Sequence, residues 1–377
     1  MILERMGPSA NLAANLLRAL AVLIILSCAN LAWADEIPIS NVRPPEGYGV
    51  QKWGGPGNLP ATVLPQASDS KVWRDIRYGV VGTVSIPDKR AGQLVQAAGT
   101  EWQAMRDGSI ANWGGWGLAG IVVVLALFLA VRGRIPIETG PSGRFIERFG
   151  ALERFAHWLT AGSFVVLALS GLNLLYGRQV LLPVLGPELF SPLTMAGKYA
   201  HDYLAFAFMA GIVLMVVLWL RQNIPSKDDL VWLARGGGLF MKGSHPPARK
   251  FNAGQKIFFW IVILGGLSIS LSGLALLFPF KLPFFAVTFE TANIFGFDLP
   301  TNLNALEEVQ LSQLWHAVVG LVLIIVIIAH IYIGTIGMVG AFDAMGTGNV
   351  DENWAREHHS LWAEEALGDG QPQAGED

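Results

Sequence analysis

Five apolar segments, near residues 114 to 131, 155 to 176, 199 to 220, 257 to 279 and 311 to 339, dominate this chain. Each is long enough to cross a bilayer, whose hydrocarbon core takes roughly 20 residues of helix. A lone apolar segment can satisfy its backbone in lipid only through internal hydrogen bonds, so all five are expected to be helical. Composition agrees: 52% of the residues are hydrophobic and only 15% charged, against the roughly 25% usual in soluble domains. The expected class is an all-α membrane protein. A net charge of -3 gives no basic bias toward nucleic acid, and no nucleic-acid partner is expected.

The loops fix an expected orientation. Arg132, Arg134, Arg144, Arg148 and Arg154 lie between the first and second spans, and a second basic cluster runs from Arg221 to Lys256. The opposite loops carry only Arg178 with Lys198, and Lys281. By the positive-inside rule the two basic loops are cytoplasmic. The mature N-terminus is then periplasmic and the C-terminus cytoplasmic, in a bacterial inner membrane. The segment from about Asp343 reads as a cytoplasmic tail, 341–377, frayed toward its end "EEALGDGQPQAGED".

Ahead of the spans, Arg5 and Arg18 precede the apolar run "ALAVLIILSCANLA", which ends at Ala32-Trp33-Ala34. This is the pattern of a secretory signal over 1–34, with an uncleaved anchor as the competing reading. Residues 35–112, rich in Pro, Gly and Trp, read as a small exported region, and 113–132 as an extra spanning helix. Cys28 is the chain's one cysteine. Cleavage of the signal would therefore leave no disulfide, no cysteine-ligated cluster and no covalent haem attachment.

Seven histidines remain to be explained: His157, His201, His245, His316, His330, His358 and His359. His316 and His330 stand 14 residues apart, roughly 21 Å along a helix at 1.5 Å rise, and within about 40° of the same direction. One helix face thus presents an imidazole near each side of the bilayer. Depth pairs the others with them: His201 with His316 on the outer side, and His157 with His330 on the inner side. Two stacked bis-imidazole sites are the arrangement of two b-type haems. The competing reading is interhelical hydrogen bonding, which accounts less well for four histidines that pair by depth. Zinc would want three or four converging ligands. Four residues beyond each histidine stands a small one, Ala161, Ala205, Gly320 and Gly334, where a flat macrocycle would need room.

The other polar groups read more simply. His358 and His359 are expected at the surface, and His245 as a loop residue or a proton-linked group. Arg154, Arg178, Lys198 and Asp202 are candidate propionate neighbours, though interfacial snorkelling accounts for the three cations. Trp158, Trp260 and Trp315 need only be interface anchors.

The segments "RFGALERFAHWLTAGSFVVLALSGL", "GKYAHDYLAF", "HPPARKFNAGQKIFFW", "LSGLALLFP" and "LWHAVVGLVLIIVIIAHIYIGTIG" resemble the gamma subunit of membrane-bound formate dehydrogenase, the di-haem cytochrome b of that complex. The resemblance spans residues 148 to about 338. It implies a four-helix di-haem b bundle over 148–340, with the extra N-terminal helix and exported region as additions to the family's shorter form. His157, His201, His316 and His330 are implied as the axial ligands of two haem b groups, paired as above. Asn252 and Gln255 of "KFNAGQK" are implied quinone contacts, although the same residues also read as a helix start. The implied partners are an iron-sulfur beta subunit and a molybdenum or tungsten alpha subunit, with formate oxidised in the latter and quinone reduced near the cytoplasmic side. The rival expectations are a cytochrome b anchor of a hydrogenase or of a thiosulfate or polysulfide reductase, and a histidine-based proton or metal transporter. Transporters usually show repeat symmetry or broken helices, which this sequence does not.

Overall fold

The computed structural model of the protein describes residues 96–238, 243–279 and 281–368. The signal, Cys28 and most of the exported region lie outside the described residues. Five helices are long and apolar enough to cross a membrane, which makes the chain a multi-pass membrane protein.

The first described helix, α1 (Gln96–Gln103), runs through a π-helical turn (Ala104–Ile110) into α2 (Ala111–Arg132). The spans that follow are α3 (Ala151–Val180), α4 (Leu182–Trp219), α6 (Ala253–Leu277) and α8 (Ala305–Tyr332). Within α4, Gly186 has φ of 69°, a conformation open to glycine that L side chains rarely adopt. It breaks the helix just before Pro187, so the unbroken part of α4 begins there. Short helices decorate the two ends: α5 (Lys227–Ala234) in the second basic loop, and α7 (Phe284–Asn293) in the loop before α8. Three starts are set by local chemistry. Ser226, Asn252 and Asn304 form capping boxes with Asp229, Gln255 and Glu307, satisfying N–H groups that a helix leaves open. Helix α7 borrows its cap instead: the buried Glu308 carboxylate of α8 accepts from Phe285 N and Ala286 N at 2.9 and 2.7 Å.

The spans pack as α3 on α4 and α6 on α8, with α2 outside α8. Small residues set these approaches, as is usual where lipid offers no hydrophobic drive between helices. A Cβ on Gly211 of α4 would stand 3.1 Å from the Thr160 backbone of α3. One on Gly266 would meet Ile212 of α4 at 2.8 Å, and one on Gly117 of α2 would meet Ile325 of α8 at 2.9 Å. Tyr176 adds a hydrogen bond to Ala111 O at 2.7 Å.

The segment expected as a tail is folded from Asp343 to Gly368; residues 369–377 lie outside the described ones. It comprises α9 (Asp343–Gly346), β2 (Asn349–Asp351), α10 (Glu352–His358) and α11 (Ser360–Gly368). Strand β2 pairs antiparallel with β1 (Phe145–Glu147), with Ile146 opposite Val350. The result is a cap over the end of the bundle that carries the basic loops. Val350, Trp354, Ala355, Trp362 and Ala363 are all buried in one cluster with Phe149, Trp219 and Phe251. Such apolar anchoring is what a frayed tail lacks.

Candidate functional site

Helix α8 carries His316 near its middle and His330 near its C-terminal end, and each faces a histidine of another span. At the basic end, His157 of α3 faces His330 with ring centroids 6.3 Å apart. At the far end, His201 of α4 faces His316 with centroids 6.1 Å apart. Two imidazoles on opposite sides of one metal atom, each nitrogen about 2.0 Å from it, have centroids about 6 Å apart. Each gap therefore has the width of one bis-imidazole metal centre. Among the described residues no three His, Cys, Asp or Glu side chains are grouped as a metal site.

The far-end pair is braced by hydroxyls. Ser170 Oγ lies 2.8 Å from His201 Nδ1, and Ser272 Oγ lies 3.1 Å from His316 Nδ1. A serine has one hydrogen to donate, and both hydroxyls have carbonyls of their own helix in reach, Val166 O at 2.7 Å for Ser170 and Ile269 O at 3.0 Å for Ser272. With that hydrogen spent on a carbonyl, each Oγ accepts from Nδ1–H. Nε2 is then left unprotonated and able to bind metal, the arrangement by which outer groups orient ligating histidines.

The basic-end pair is braced by rings. Phe258 of α6 stacks on His330 at 4.2 Å with 14° between the planes, and Trp158 meets His157 edge-on at 5.0 Å. The Trp158 indole donates to Met345 O of the cap at 2.9 Å, which makes it more than an interface anchor. His157 Nδ1 is buried without a hydrogen-bond partner.

The small residues divide. A Cβ on Gly334 would meet nothing within 4 Å, and one on Gly320 would make ordinary contact with Ile269 at 3.5 Å. The glycines that leave room for the imidazoles are Gly171 and Gly273, where a Cβ would stand 3.6 Å from His201 Cε1 and 3.2 Å from His316 Cε1. Helix spacing could not find them, because they face the histidines from other helices.

One to two turns before Phe258, the start of α6 carries Asn252 as its N-cap and Gln255 in its first turn. Asn252 Oδ1 accepts from Gln255 N at 2.9 Å, and Gln255 Oε1 accepts from Asn252 N at 3.1 Å. The capping box thus commits both carbonyl oxygens. Among the described residues neither amide NH2 group has a hydrogen-bond partner, so two donors are displayed at this end of the bundle. Lys198 and Asp202 pair with each other at 2.6 Å, while Arg154 reaches Gly346 O of the cap at 3.2 Å.

His359 is not at the surface as expected: it is 1% exposed. The residues around it explain why. Trp354 and Trp362 fold back on the bundle and carry the histidine inward with them. His359 Nδ1 lies 2.7 Å from Arg249 O, and its Nε2 lies 2.9 Å from Arg148 Nη2. Burial first, then the Arg148 charge, hold it well below the usual histidine range. Burial likewise lowers His358 to about 4 and Arg148 to about 9. His245, at the rim, pairs with Glu138 at 3.1 Å. Trp354 and Trp362, flanking "HH" at helical spacing, were the available signal that this segment is anchored.

Facing histidine pairs at both ends of a helical membrane bundle define the class of the membrane b-type cytochromes. The family model described as prokaryotic cytochrome b561 matches residues 148–348, and the chain belongs to that family. It is similar to the cytochrome b556(fdo) subunit of formate dehydrogenase from Escherichia coli K12, 26% identical over 222 residues, or 58% of this chain and 92% of the relative. The nitrate-inducible cytochrome b556(Fdn) subunit of the same strain is 26% identical over 226 residues, 59% of this chain and 92% of the relative. A Haemophilus influenzae formate dehydrogenase cytochrome b556 subunit is 23% identical over 219 residues, 57% and 80% of the respective chains. The resemblance drawn from the motifs therefore holds. A cytochrome b family implies haem b, and the residues present fit it: both gap widths, and the serine-fixed tautomers of the far-end pair, suit such a group.

Proposed function

We propose that this chain is the membrane cytochrome b subunit of a formate dehydrogenase, with His201 and His316 as axial ligands of one b haem and His157 and His330 of a second. The observation that carries the reading is the pair of imidazole gaps, 6.1 and 6.3 Å between centroids, at opposite ends of one bundle. The names of the relatives supply the formate assignment. When bound, the two haems provide one-electron carriers at the two ends of the span.

The chain's own residues do the rest. Ser170 and Ser272 hold the far-end rings in the ligating tautomer. Phe258 holds the plane of His330, one helical turn from Gln255. The free NH2 groups of Asn252 and Gln255 donate to a quinone carbonyl at the basic end, which the arginine-rich loops assign to the cytoplasm. The iron-sulfur partner would dock at the far, periplasmic end, and formate would be oxidised in a molybdenum or tungsten partner beyond it. Formate oxidation outside and proton uptake at the quinone inside work against the membrane potential, about 2.3 kcal/mol per charge per 100 mV.

The test is a reduced-minus-oxidised spectrum with pyridine haemochrome quantitation of wild type, His316→Ala and His330→Ala. The expected outcome is about two b haems per chain, with each variant losing a different one. A chain that carries no haem when supplied with it would return the histidines to a packing or transport role.

A further inference from the structure

Resting on the quinone reading above, we infer that Arg148, held by His359 of the cap, is a positioning residue for the quinone-binding loop, which makes the C-terminal cap a working part of that site. Arg148 precedes α3 and is 4% exposed. Its Nη2 donates to Lys250 O at 2.8 Å and reaches Gln255 Oε1 at 3.5 Å. The guanidinium carbon lies 5.2, 5.0 and 5.7 Å from the ring centroids of Phe149, Trp354 and Trp362.

What this cation lacks is a carboxylate. Glu153 is near enough to act on it electrostatically, but that carboxylate is bound by Lys250 Nζ at 2.7 Å and Trp219 Nε1 at 2.8 Å. Arg148 Nε is buried with no hydrogen-bond partner among the described residues. A buried charge with neutral partners alone costs stability, and an apolar residue of similar volume often serves packing as well or better. Packing therefore does not account for an arginine here.

His359 accounts for how it is aimed. Arg249 O can only accept, so Nδ1 of His359 carries the proton and Nε2 is left as an acceptor. A guanidinium can only donate, which suits that nitrogen. Both neighbours thus select one neutral tautomer. Together Arg148 and His359 grip one loop at Arg249 O, Lys250 O and Gln255 Oε1. Asn252 N and Arg148 both hold Oε1, and the Gln255 NH2 is left without a hydrogen-bond partner among the described residues. The sequence separation of Arg148, the loop and His359 kept this constellation out of any motif.

The experiment measures formate-driven reduction of decylubiquinone by the assembled complex, with viologen dye reduction and haem spectra as controls. His359→Leu is expected to raise the KM for decylubiquinone about fivefold, the size of one lost hydrogen bond, while kcat, dye reduction and both haems stay within about twofold of wild type. His359→Gln, which returns an acceptor to Arg148, should restore most of the KM. An unchanged KM in His359→Leu, or no rescue by glutamine, overturns the inference. If His359→Leu loses haem, Arg148→Lys decides by the same KM criterion, because lysine keeps the charge but cannot grip the loop in several directions. Asn252→Ser keeps a cap acceptor and removes the NH2 donor without adding a charge. If it leaves the KM unchanged, the quinone reading itself fails; if it raises the KM while the His359 and Arg148 variants do not, only the inference fails.

Discussion

The two histidine pairs have nearly the same gap but different supports. The far-end pair is fixed by Nδ1–H groups donated to the Ser170 and Ser272 hydroxyls, and Gly171 and Gly273 leave room beside Cε1 that a side chain there would fill. The basic-end pair has a stacked Phe258, an edge-on Trp158 and an Nδ1 without a partner. Hydrogen bonds specify which nitrogen is bare, whereas ring contacts specify only a plane. The far pair is thus fixed in both tautomer and direction, and the basic-end pair in ring plane alone. Its neighbours tie it to that end of the bundle: Trp158 bonds the cap at Met345 O, and Phe258 stands on the helix that starts at Asn252 and Gln255.

The comparison breaks most sharply at Gly273. Its built Cβ stands 3.2 Å from His316 Cε1, tighter than ordinary contact, so Gly273→Val is expected to drive the ring off line and remove about half of the haem. Gly171→Ala, at 3.6 Å, should leave haem content unchanged. Equal tolerance at both positions would show that the far end is not tightly packed.

Acid should act on the other end. His358 titrates near 4 in the folded cap because burial disfavours its charged form, with Glu357, His245, Arg148 and Glu138 as the charged groups around it. A depressed histidine takes up its proton more readily when unfolded, so cap stability is full above about 6.5 and lost as pH falls toward 4, by about 3 kcal/mol at the low end. His359, also lowered, acts in the same direction. Hydrogen exchange of cap amides and spectra of the basic-end haem should change over this window before the far-end haem does. A simultaneous change at both ends would uncouple the cap from the comparison.

Smaller effects separate the two kinds of support. Ser272→Ala is expected to move only the far-end potential, by roughly 60 mV or less, the equivalent of about 1.4 kcal/mol for one electron. Phe258→Leu should change only the basic-end haem, seen as a shifted low-spin g value with haem content retained. Redox titration with electron paramagnetic resonance reads both, and a shift at the wrong end in either variant contradicts the assignment of supports.

The sequence made the spans legible because lipid leaves an apolar segment one way to satisfy its backbone. It also put His316 and His330 on one face, since helix geometry alone relates positions fourteen apart. Asn252 and Gln255 were legible for the same reason: a capping box is local. What touches each imidazole was not legible. Ser170, Ser272, Gly273 and Phe258 reach the histidines from other helices, and only the packing angles of those helices bring them there. Nor was the fate of the last segment, where "REHHSLWAEE" carries as many charges as a solvated tail. Trp354 and Trp362 reverse that reading only when Phe149, Trp219 and Phe251 stand ready to bury them. Periodicity along one helix is written in the chain itself; a contact between two helices exists only once both are placed.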